Sequence, residues 1–141
     1  MSFDKIMAIG GSGLNAQLVR MNATASNLAN VGVVSGSEEG AFRAQRPVFS
    51  ALLDGDTAGG FKNLAGGVRV DKIVDDTKPI EQLYEPGNSM ANADGYVFSS
   101  NVSEIEELVD MLDASRAYQN NVEVITSAKD LMIKTLGMIK V

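Results

Sequence analysis

The apolar positions of this chain fall into two long helical patterns separated by a stretch that alternates with a period of two. In the first pattern Met7, Leu14, Met21 and Leu28 stand seven residues apart, with Leu18 and Ala25 between them at the 3-4 spacing of a coiled-coil seam. In the last, Leu108, Met111, Ser115, Tyr118, Val122, Ile125, Lys129, Met132, Leu136 and Ile139 follow one another at alternating steps of three and four. Ser103 with Glu106 three residues on reads as a capping box, which places helix entry near Ser103. Acids at the start (Glu104, Glu106, Glu107, Asp110, Asp113) and late lysines (Lys129, Lys134, Lys140) match the helix dipole. Glu107 is expected there as an exposed charge of little energetic weight. At about 1.5 Å per residue this helix runs roughly 55 Å, too long to stand alone in one small domain, so the two seams are expected to pair.

Between them the pattern is that of short strands. Phe42, Ala44 and Val48 alternate with Arg43, Gln45 and Pro47, and Val68, Val70 and Val74 share one face of an extended run. Segments 80–85 and 96–98 follow, punctuated by turns at Pro86-Gly87 and Asp94-Gly95. Ten of the 14 glycines and all three prolines lie between Gly32 and Gly95, so helix breakers divide the chain where the periodicity does. The expected fold is α+β. Long terminal helices, residues 1–31 and 103–141, pair as an antiparallel-type coiled coil around a β-rich middle domain, residues 32–102, in which Gly55 to Gly67 is biased enough to form a mobile loop.

Composition narrows the chemistry. The 141 residues contain no cysteine and no histidine, which removes disulfides, thiolate metal sites and the commonest general base. A net charge of −6 argues against a nucleic-acid surface. Neither a membrane span nor a cleaved signal peptide is expected. The first helix is unusual, because between Gly10 and Val31 its only charge is Arg20. Its other faces carry Asn15, Gln17, Asn22, Thr24, Ser26, Asn27 and Asn30 among alanines. Uncharged polar surfaces of this kind suit a helix surrounded by protein on several sides.

Three motifs carry no chemistry. Gly11 to Ala16 fits the G-x-G-x-x-A form of a dinucleotide loop, but no strand precedes it and no acid stands about 20 residues on, so its glycines are read as allowing close helix packing. Asn92 to Gly95 puts Met90 and Asn101 where a calcium loop needs ligands, and is a turn. Asp75-Asp76 is read as a pair of solvated acids.

Gly13-Leu14-Asn15-Ala16-Gln17, Arg20-Met21-Asn22 and Ala25 to Asn30 resemble the N-terminal signature of the flagellar axial proteins, the rod, hook and related subunits. Ala114 to Glu123, with Lys129 and Leu131 to Leu136, resembles their closing helix, and Tyr84 to Asn88 and Asp94 to Val97, with the short length, point within that family to the proximal rod. The resemblance implies a non-enzymatic subunit without cofactors. It would be exported through the flagellar secretion apparatus and assembled helically with other copies of itself, other rod subunits and the basal-body adaptor at the MS ring. No nucleic acid, small-molecule substrate or membrane insertion is implied. The assembly seam is then expected at Met7, Leu14, Leu18, Met21, Ala25 and Leu28, with Leu108, Met111, Tyr118, Val122, Ile125, Met132, Leu136 and Ile139 in the second helix. An alternative from another class is a helical-hairpin adaptor that folds alone and recruits one protein partner.

Overall fold

A computed structural model describes residues 3–52 and 66–139. The element order is α1 (Phe3–Ala29), β1 (Val34–Ser35), β2 (Gln45–Ala51), β3 (Val68–Asp75), β4 (Glu81–Tyr84), β5 (Tyr96–Ser99) and α2 (Glu104–Ile139). The loop expected at Gly55 to Gly67 lies, apart from Gly66 and Gly67, outside the described residues, and so does the side chain of Ile139.

α1 ends where backbone bonds from Asn30 and Val31 return to Asn27 and Leu28, and Gly32 turns the chain away at φ +70°, a region that L side chains avoid. The chain then forms β1, which pairs antiparallel with β5, and β5 pairs antiparallel with β4, giving the order β1-β5-β4. β2 and β3 form a separate antiparallel hairpin from Gln45↔Asp75 to Ala51↔Val68, with an irregularity between Val48 and Phe49. Both expected turns are present. Glu85 donates to Gly95 O, and Gly95 takes φ +82° against the Tyr84 ring.

α2 begins at the residue after Ser103, as the sequence predicts, but the reciprocal side-chain cap does not form. The Ser103 carbonyl accepts from Glu107 N at 3.0 Å, while Glu106 turns to Lys78 Nζ at 2.7 Å. α1 and α2 pack side by side and antiparallel, since Gly10 lies on Ile125, Gly13 on Asn121, and Asn27 on Glu107. The β2–β3 hairpin lies against another side of α1, where Val68 N donates to Ser12 Oγ and Asn27 clamps Gln45. The buried apolar residues are mainly small: Ala16, Ala23, Ala41, Ala44 and Ala114, with Leu52 and Val97. A core of alanines allows close backbone approach but removes little apolar area from water.

Candidate assembly interface

Within one chain the helices meet on a stripe one residue earlier than the apolar seams. On α1 the contacts fall at Gly10, Gly13, Arg20 and Asn27, and Gln17 and Thr24 complete the same 3-4 series. On α2 they fall at Glu107, Asp110, Asn121 and Ile125, with Ala114 fully buried between them. Of the two apolar stripes, Ile125 packs on the facing helix inside the chain, at Gly10. Met7, Leu14, Met21 and Leu28 are only half-buried, Leu18 is 46% exposed and Ala25 is exposed. On α2, Met111, Tyr118 and Ile125 are half-buried, whereas Leu108, Val122, Met132 and Leu136 are exposed. The contacts inside the chain use a mainly small and polar stripe together with Ile125, and in the apolar stripe beside it, offset by about 100°, Leu18, Ala25, Leu108, Val122, Met132 and Leu136 remain exposed.

The reason is a buried polar node. Asn27 Nδ2 donates to Glu107 Oε2 at 2.9 Å and to Gln45 O at 3.0 Å, while its Oδ1 accepts from Gln45 N at 2.7 Å. Arg46, from β2, places Nη2 2.9 Å from Glu107 Oε1 in an ion pair without hydrogen-bond alignment. Its Nη1 lies 2.9 Å from Asp110 Oδ2 and its Nε 3.5 Å from Asp76 Oδ2. Arg20, the lone charge of the middle of α1, takes the other Asp110 oxygen at 2.9 Å. Glu107 is fully buried, so its reading as an exposed first-turn acid is overturned, and Asp76 belongs to the node rather than to a solvated pair. A buried carboxylate is tolerated only with such partners. One signal pointed this way: a solitary arginine in an otherwise uncharged helix needs a partner, although the sequence alone does not say which.

Outside the node the ionic groups are on the surface. The Glu106 hydrogen bond holds the Lys78 ammonium above its ordinary value. Hydrogen bonds from Ser50 and Arg69 hold Asp71 below the usual carboxylate range. Among the described residues no group of acids is arranged to hold a metal ion, and no helix is long and apolar enough to cross a membrane. Ser12 Oγ is spent within the fold, donating to Ile9 O while accepting from Val68 N, and Asn92 Oδ1 accepts from Asp94 N and Tyr96 N in the expected turn.

Large apolar side chains also remain open. Ile105, Leu108, Val109, Leu112, Val122, Val124, Leu131, Ile133, Leu136 and Met138 are all exposed along α2. Where α2 runs past the start of α1, Phe3, Ile6, Ala128, Leu131, Met132, Thr135 and Leu136 line a groove of about 390 Å³. Exposed apolar side chains in this number make α2 a candidate interaction face.

Two long helices from the chain ends, bare on their apolar sides and joined by a small β domain, define a structural subunit of the flagellar axial class, and the comparisons agree. The family model "Flagella basal body rod protein" matches residues 7–36, and "Flagellar basal body rod FlgEFG protein C-terminal" matches residues 93–138. Along almost its whole length the chain is 43% identical to the flagellar basal-body rod protein FlgC of Yersinia enterocolitica and 42% identical to that of Salmonella typhimurium, covering 98% of both chains in each case. Against FlgC of Bacillus subtilis it is 31% identical over 91% of this chain and 92% of the relative. The chain belongs to the FlgC family of flagellar basal-body rod proteins. The self-sufficient adaptor is not favoured.

Proposed function

We propose that the chain builds the proximal rod, assembling helically with other copies of itself, with other rod subunits and with the basal-body adaptor at the MS ring. It reaches its place in the periplasm through the flagellar secretion apparatus. Its work is mechanical: torque passes through packed contacts between subunits, and no catalytic residue is involved. One observation carries the reading. Each terminal helix has a mainly small and polar stripe engaged inside the chain and, beside it, an apolar stripe with members left exposed. A heterologous contact made by such stripes grows a helical filament where its rotation does not close into a ring. The assembly seam is accordingly assigned to the exposed members of the apolar stripes, Leu18 and Ala25 on α1 and Leu108, Val122, Met132 and Leu136 on α2.

The test is an aspartate at a position exposed in the single chain, Leu18→Asp or Val122→Asp, in a flagellated strain lacking its own copy of this subunit. Surface changes usually shift stability by less than about 0.5 kcal/mol. The variant should therefore be made, secreted and as stable as the parent, and isolated basal bodies should lack rods, because each contact now buries an unpaired carboxylate. Normal rods would remove the seam from the account. Ile125 is unsuitable for this purpose, since it packs on Gly10 within the subunit.

A further inference from the structure

We infer that the buried node of Asn27, Arg46 and Glu107 fixes the register in which α1 pairs with α2. The need for such a device follows from the interface itself. Its α1 side is Gly10, Gly13, Gln17, Arg20, Thr24 and Asn27, a repeat of small and polar residues that offers little apolar area to reward one alignment over another seven residues away. A slip of one heptad moves the helices by about 10 Å and leaves stripe opposite stripe. What it cannot preserve is the node. Glu107 is fully buried and held by Asn27 from α1 and Arg46 from β2, and Asn27 is held in turn by both backbone groups of Gln45. Any slip separates these partners and leaves buried polar groups unpaired, which penalises the wrong register more than it rewards the right one. Because Arg46 and the Gln45 backbone that holds Asn27 both lie on β2, the middle domain also dictates the alignment of the terminal helices. The rival explanation is the seat of Ile125 over Gly10, where a Cβ would stand 2.7 Å from Ile125 Cγ1.

The absence of cysteine makes introduced thiols clean reporters. Gly13→Cys with Asn121→Cys reports the observed register, since a Cβ on residue 13 lies 3.3 Å from Asn121 Cγ. Gly13→Cys with Ala114→Cys or Ala128→Cys, in each case with Asn121→Ala to make room, reports the two one-heptad slips. In the otherwise unaltered full chain only the 13–121 disulfide should form. In the variant Asn27→Leu, Arg46→Met, Glu107→Leu, which keeps the volume and removes the polarity, helical content should be retained and a slipped disulfide should appear beside the native one. Exclusive formation of 13–121 in that folded variant would overturn the inference and assign the register to the contacts that remain, Ile125 on Gly10 and Arg20 with Asp110. Should the variant lose its helices, Asn27→Ala with Arg20→Ala decides instead, because it keeps the Arg46 ion pairs while removing the polar ties of α1 to Glu107 and Asp110 on α2. A slipped disulfide supports the inference there, and an exclusively native one overturns it.

Discussion

Glu107 shows how far a residue's surroundings can depart from its sequence neighbourhood. An acid in the first turn of a helix is normally solvated, and its favourable dipole interaction is visible in one dimension. Its burial is not, because Asn27 and Arg46 come from distant parts of the chain. Replacing it with lysine places two cations together in a site of no exposure, and breaking such a pair costs about 3–5 kcal/mol. Glu107→Lys should therefore lower the denaturant midpoint severely. An unchanged midpoint would contradict the node. The glycines make a second test, with opposite signs one residue apart. A Cβ on Gly10 would stand 2.7 Å from Ile125 Cγ1, whereas one on Gly11 meets nothing within 4 Å. Gly10→Ala should destabilise by about 1–2 kcal/mol through overpacking. Gly11→Ala should stabilise by up to about 1 kcal/mol through helix propensity. Equal effects in denaturant melts would mean that the helices do not approach closely at Gly10.

At the scale of elements, most of the architecture was legible. α1 ends at Ala29 and α2 begins at Glu104, where the helix breakers and Ser103 point, because caps and breakers are local signals. The strands at 68–75, 81–84 and 96–99 were likewise announced by alternation and turn residues. The face each helix turns inward was not legible, since apolar periodicity marks a stripe that will be buried without saying in which molecule. The gradient of burial along the pair has a consequence for the free subunit. The last fully buried residue of α2 is Ala114, and residues 131–138 are all exposed. Amide exchange on the monomer should be slowest around residues 107–118, where the node and Ala114 hold the helix. It should quicken toward residue 139, where local opening costs little. Uniform protection along α2 in a verified monomer would show that the helix needs no neighbour.

For the whole molecule, the central claim is that Leu18 and the other exposed members of the apolar stripes are covered in the rod. A single thiol at Leu18→Cys reads this directly, because the chain has no other cysteine and residue 18 is 46% exposed when the subunit stands alone. The measurement is the rate of maleimide labelling in the purified monomer, in isolated basal bodies carrying the variant, and in the same basal bodies after denaturation. The account predicts rapid labelling of the monomer, strong protection in the intact rod and full labelling once it is dissolved. Labelling of the intact rod as fast as that of the monomer would contradict it.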